Sequence, residues 1–233
     1  MTAVFGHVGS SGFHLPPVDP VPSPWPVYTR TAETDALPVA IADVREFIGL
    51  PSGDTSRDTE LTLFVKTAAR AIEHHCQVSI LDTTWQAAMP EFGERIALNK
   101  RPFKTVLLIE YVHETTGTIT SVAGDTFHDT TIGQQMGMVW LGHDKSWPDD
   151  KAIRHDAVRI TFTTGYGTDD TTVPADIKHA ILMAVASMDA NRGDCESSGG
   201  GSVYAMKNST PSIIPAAAQP LLGPYVFRHL AVA

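Results

Sequence analysis

Ten histidines are spread through this chain, and histidine is the side chain best suited to bind a metal or move a proton near neutral pH. Their spacing argues against both uses. His74 and His75 are neighbours on a helical stretch, and adjacent helical residues do not share a face. No HExxH and no pair of histidines four apart occurs, so the usual helical zinc spacing is missing. Asp176 and His179 are three apart on a helix, which reads as ordinary helix-end charge chemistry. Three His-Asp dipeptides occur, at 128–129, 143–144 and 155–156. In extended chain neighbouring side chains point to opposite faces, so none is a ready-made proton-transfer dyad. Solvated loops account for all three.

Other chemical signatures are equally sparse. No G-x-S-x-G elbow is present, and Gly165-Tyr166-Gly167 lacks the serine and marks the turn that leaves a strand. The glycine run at 199–201 is not followed by Lys-Ser/Thr, so no phosphate-binding P-loop forms. Lys100-Arg101-Pro102-Phe103-Lys104 is the one basic knot. Lying between two strands, it is expected to be a solvated loop or a contact with an acidic neighbour. No catalytic residue, metal ligand or cofactor site is expected.

Composition sets further bounds. The 233 residues suffice for one domain, or one domain with arms, and the 42% apolar fraction can fill a core. Charged residues reach only 18%, which fits a subunit that hides surface in an assembly. The net charge is −9, with nearly all acids between Glu33 and Glu196. Such a body is ill suited to wrapping nucleic acid, which requires cations to displace phosphate counterions. Solubility alone accounts for such a charge, which is also compatible with a surface that DNA slides past. Cys76 and Cys195 form no CxxC or disulfide framework, so a reducing compartment is expected, with Cys76 a buried thiol. Residues 1–20 lack the basic start and apolar run of a secretory signal. The longest apolar stretch, 180–186, is far too short to span a bilayer. A soluble protein made in a cytoplasm, with no membrane partner, is expected.

The elements follow from periodicity. Residues 1–36 read as a Pro-rich arm, with Phe5, Phe13, Trp25 and Tyr28 interleaved among prolines that block helix. A core over 37–193 follows. Helices are expected at 39–48, at 58–78 with Leu61, Val65, Ala68, Ile72 and Cys76 as its stripe, and at 174–192 with Ile177, Ile181, Ala184, Val185 and Met188. Between them, residues 83–164 change to period two at Trp85/Ala87/Met89, Ile96/Leu98, Met138/Trp140 and Val158/Ile160/Phe162. Five or six mostly antiparallel strands are expected there. Residues 194–233 begin as a Gly/Ser linker and end as an apolar arm or a last short helix over 214–227. The fold class is α+β: a small bundle of three to four helices with an inserted antiparallel sheet region and extended terminal arms.

Several motifs stand in a recognisable order: Thr83-Thr84-Trp85-Gln86, Arg101-Pro102-Phe103 before an apolar strand, Ser146-Trp147-Pro148, the run Val158-Arg159-Ile160-Thr161-Phe162-Thr163-Thr164-Gly165-Tyr166-Gly167, then Val173-Pro174-Ala175-Asp176-Ile177-Lys178 and Asn191-Arg192. In that order and spacing they resemble the head–tail connector (head-completion adaptor) family of long-tailed phages, prophages and gene transfer agents, over about residues 37–227. The resemblance implies a helical bundle with a β-rich insert, assembled as a twelvefold ring beneath the portal in the virion neck. It further implies a stopper or other neck protein as the next ring, and double-stranded DNA passing through the lumen without specific binding. No catalytic residue or cofactor is implied. A tail-completion or minor tail structural protein, or a small hydrolase with an unrecognised site, are the alternatives. Within the ring, acidic side chains are expected to outnumber basic ones along the lumen.

The C-terminal arm is the expected portal-binding element. Ile213, Ile214, Leu221, Leu222, Tyr225, Val226, Phe227, Arg228 and Leu230 give it an apolar, weakly cationic strip with no acidic side chain, a composition suited to docking. Removing residues 223–233 is expected to leave a folded protein. The competing expectation is that 214–227 folds back onto the chain's own helices.

Overall fold

The stripe read at 58–78 folds as its spacing dictates. In the computed structural model, which describes residues 26–51, 53–132, 136–191 and 213–227, helix α2 spans Asp58–Cys76 and buries Leu61, Val65, Ala68, Ile72 and Cys76. Gln77 ends it in the left-handed conformation, φ 56°. Helix α1 (Ile41–Phe47) precedes it and buries Val44. Helix α3 (Ala175–Ala190) buries Ile177, Ala180, Ile181, Ala184 and Val185. The three share one apolar core with Val39, Val78, Ile80, Leu81 and Val173. An ion pair from Arg57 to Asp189 ties the start of α2 to the end of α3.

The period-two segment forms two antiparallel sheets. The larger has the order β1-β2-β8-β4-β5, from Val27–Glu33, Thr83–Met89, Val158–Thr164, Phe103–Val112 and Ile119–Ser121. The smaller has the order β3-β7-β6, from Arg95–Leu98, Met136–Leu141 and Phe127–Ile132. Trp85 lies opposite Phe162 and Ala87 opposite Ile160, so alternate residues face one side. Ala87, Met89, Ile109, Ile160 and Phe162 of the larger sheet share a second apolar core with Ile96, Leu98 and Val139 of the smaller. The molecule is thus mixed α+β, with helices flanking the sheet insert in sequence.

Three strands were not legible. Residues 27–33, expected to be arm, form edge strand β1 paired along β2. From Val27 to Glu33 every residue has its N–H, and Tyr28 meets Phe162 edge-on at 6.3 Å, so pairing and packing replace the extended arm there. β5 is three residues long, and β6 is an edge strand with mostly exposed side chains; neither has an apolar alternation to betray it. Residues 1–25, most of the expected arm, lie outside the described residues, as do 192–212.

Gly165 is a glycine by necessity. Its φ is +134°, and a Cβ there would lie 2.6 Å from the carbonyl oxygen of Leu81, closer than non-bonded atoms approach. Gly165→Ala should therefore cost about 2 kcal/mol, a fall in Tm of roughly 4–8 °C for a domain this size. Thermal unfolding followed by circular dichroism would register it, and an unchanged Tm would contradict the strain argument.

Candidate functional site

The C-terminal segment does not hang free. It enters as a 3₁₀ turn at Ala216–Ala218 and a single-turn helix α4 at Gln219–Leu222, cut short by Pro215, Pro220 and Pro224, which cannot donate the backbone bonds of a longer helix. Ile214, Ala218 and Leu222 recur every four residues and are buried in the helical core. Tyr225 and Val226 pack against the same core.

Arg101 is what this segment closes upon. The residue is 5% exposed. Its Nη2 donates to the Cys76 carbonyl at 2.9 Å and to the Tyr225 carbonyl at 3.3 Å. Its guanidinium lies 4.6 Å from the centre of the Phe227 ring, a cation–π contact. One side chain thus joins the end of α2, the turn before β4 and the C-terminal segment. Burial pushes the Arg101 pKa down, while nearby Tyr166 and Cys76 oppose the shift. Burial first, then Tyr225, pushes the Tyr166 hydroxyl up to about 12. Burial likewise raises the Cys76 thiol to about 11, so it stays protonated and unreactive at neutral pH.

The expected portal-binding residues therefore divide. Ile214 and Leu222 are buried at home, 7% and 0% exposed, and cannot meet a partner without unpacking the core. Leu221, Tyr225, Val226 and Phe227 are half-buried, and Ile213 is exposed beside Thr67 and Ala71 of α2. Arg228 and Leu230 lie outside the described residues. The fold-back expectation describes residues 214–227, because a four-residue apolar repeat beside an unfilled helical core buries there first. Removing residues 223–233 would accordingly strip Arg101 of two contacts, and it no longer counts as a neutral truncation.

The basic knot is corrected at Arg101, while Lys104 does meet an acidic neighbour. Arg101 faces inward and is not a solvated-loop residue, because two backbone carbonyls and an aromatic ring receive it. Lys104 pairs with Asp82 at 2.6 Å. Lys100 sits 4.3 Å from the Trp85 ring centre and 5.4 Å from that of Tyr28. Arg30 lies 4.9 Å from the same Trp85 ring, and the indole Nε1 donates to Ser79 Oγ at 3.2 Å. This cation–aromatic stack lines a cleft of about 530 Å³ between β1 and the end of α2. Sequence reasoning placed Trp85 in a strand and Lys100 in a loop without joining them, since the contact spans fifteen residues and two elements.

The histidine–aspartate neighbours form no site. His143 and Asp144 are 95% and 88% exposed. Asp129 turns away from His128 to accept from the Val106 N–H at 2.6 Å and Thr105 Oγ1 at 3.0 Å, at an irregular stretch of β4. Asp176 accepts from the Tyr225 hydroxyl at 3.5 Å, whereas His179 meets Phe47 edge-on. Among the described residues no group of three or more His, Cys, Asp or Glu is placed to hold a metal. None of the described helices is long and apolar enough to cross a membrane.

Asp156 shows the strongest depression of a carboxyl. The Arg154 guanidinium beside it, then Arg159 at 2.9 Å, hold it at about 2. Its folded pKa lies below the unfolded value of about 3.9, so its stabilising contribution is full above pH 4 and is lost as pH falls toward 2. Asp156→Asn should flatten the fall of Tm between about pH 4 and pH 2 relative to the parent. Parallel curves over that window would contradict this.

Against solved structures, the chain is similar to proteins of gene transfer agent (GTA) particles. In the neck of an empty GTA particle computed with C6 symmetry, the match has a TM-score of 0.66 at 16% identity, covering 89% of this chain and 98% of that one. In the virion of a native GTA particle it is 0.64 at 18% identity, covering 88% and 98%. In the neck of a native GTA particle computed with C12 symmetry it is 0.62 at 18% identity, covering 89% and 98%. At these identities the likeness is one of fold, and it extends over nearly the whole of each matched chain. No family profile matches the sequence, and no curated protein matches it.

Proposed function

We propose that this chain is a structural neck subunit of a tailed phage or gene transfer agent, an adaptor with no catalytic role. On this reading it forms a ring, twelvefold, between the portal and the tail-proximal neck proteins, and continues the DNA channel. The observation that carries the reading is the fold likeness to GTA neck chains over 98% of their length, joined to the ordered motifs of residues 83–192. The net charge of −9 supports a lumen that repels DNA. Exposed apolar side chains support an assembled state: Leu63 and Leu107 are 61% and 56% exposed, and Ile153 is 94% exposed.

Electron microscopy of the particle neck tests it. The expected result is this chain in cyclic copies next to the portal, with carboxylates in excess along the lumen. Its absence from a cyclic arrangement overturns the reading, and a lumen of net positive side-chain charge overturns the DNA-path part alone.

A further inference from the structure

The cleft beside Trp85 holds an unbalanced charge. Arg30 and Arg70 are answered within the chain, since Glu73 pairs with both and Glu33 with both. Lys100 is not: its contacts are the Trp85 and Tyr28 rings, and no carboxylate among the described residues pairs with it. Burial, then the like charge of Arg30, pushes its pKa down, as befits a cation short of a counter-charge. A chain with 26 acidic and 17 basic residues would be expected to supply one. The segments outside the described residues are sparse sources: residues 1–25 hold one side-chain carboxylate, Asp19, residues 192–212 hold two, Asp194 and Glu196, and residues 228–233 hold none.

The opposite edge of the same sheet carries the complement. β1 and β5 are its outer strands, about 19 Å apart at the usual strand spacing. Beside β5, at the end of β4, Glu114, Asp149 and Asp150 are all exposed, held together by the Glu114 N–H donating to the Asp150 carbonyl at 2.7 Å. Nearby basic side chains are His113, 3.0 Å from Asp150, and Lys151, whose strand bridge is to His113. They leave the cluster acidic.

We infer that the Lys100–Trp85 cleft takes a carboxylate from the Glu114, Asp149 and Asp150 cluster of a second copy of this chain. Two different patches at opposite edges of one sheet make a head-to-tail contact, and such a contact closes into a ring when its rotation permits. The inference rests on the ring reading and gives that ring its charged contact. DNA phosphate is the poorer occupant, because Glu33 and Glu73 stand among the cations.

Charge reversal inside assembled particles tests it. Lys100→Glu, and separately Asp149→Lys with Asp150→Lys, are produced in place of the parent chain, and copies per purified particle are counted by quantitative mass spectrometry. Each alone should lower the count at least tenfold. Produced together they should restore it, because each variant's altered patch then meets the other's, in alternation. A misfolded variant could not be rescued in this way. Single variants at the parent's count, or no rescue by the mixture, overturn the inference. Single variants that keep full count yet leak DNA would assign the cleft to phosphate and overturn it equally. A parent chain absent from particles overturns the neck reading itself, which separates the two failures.

Discussion

Arg101→Met is expected to lower the melting temperature by roughly 6–12 °C, from a loss of about 3 kcal/mol. Methionine keeps much of the volume and apolar contact of the arginine stem but donates nothing. The carbonyls of Cys76 and Tyr225 would then lose a charged donor inside the protein, and leaving a buried acceptor unpaired costs about 1–3 kcal/mol. The contact with Phe227 is lost as well. Arg101→Lys should recover only part of the loss. A compact ammonium lacks the planar fork that reaches two carbonyls while lying against a ring. Differential scanning calorimetry on the three proteins gives the order, parent above Lys above Met. A Met variant as stable as the parent would mean that Arg101 is a passenger and that apolar packing alone seats the C-terminal segment.

That pin explains what the sequence could reveal and what it could not. The three long periodic signals, 58–78, 174–192 and 158–164, each matched an element to within two residues, because one buried face dictates each pattern. Arg101 carried no such signal. A lone arginine between two lysines reads as surface charge, and only the Cys76 carbonyl at the end of α2, twenty-five residues earlier, and the Tyr225 carbonyl and Phe227 ring of the C-terminal segment give it a reason to be inside. β1 was hidden by its prolines upstream and by alternation that is half exposed. The cation–aromatic cleft was invisible for a related cause: Arg30, Trp85 and Lys100 come from β1, β2 and the turn before β4, and only the antiparallel pairing of β1 with β2 sets Arg30 opposite Trp85. The 214–227 segment was readable as apolar, yet its length as helix was not. Pro215, Pro220 and Pro224 break it into a 3₁₀ turn and one helical turn, so burial every fourth residue survives while the regular helix does not.

The C-terminus is where stability and docking can be separated. Residues 214–227 are committed to the chain's own core, and Arg228 and Leu230 follow immediately. Deleting residues 228–233 should leave Tm within about 2 °C, since the contacts of Arg101 with Cys76, Tyr225 and Phe227 and the buried residues of the segment all precede residue 228. On the proposed portal-binding role it should still weaken binding to purified portal by roughly 100-fold. That corresponds to about 3 kcal/mol, the order expected for one leucine buried in a groove together with one charged hydrogen bond. Particles made with it should lack tails or lose packaged DNA. Deleting residues 223–233 should behave differently. It removes the carbonyl of Tyr225, the ring of Phe227 and the packing of Val226, so it should lose at least as much Tm as Arg101→Met and lose binding through instability. Calorimetry and portal titration on both truncations distinguish the two effects. If the shorter truncation binds portal as tightly as the full chain, residues 228–233 do not dock. The exposed Ile213 beside α2 would then be the next C-terminal contact to test, by Ile213→Asp, since it is 40% exposed.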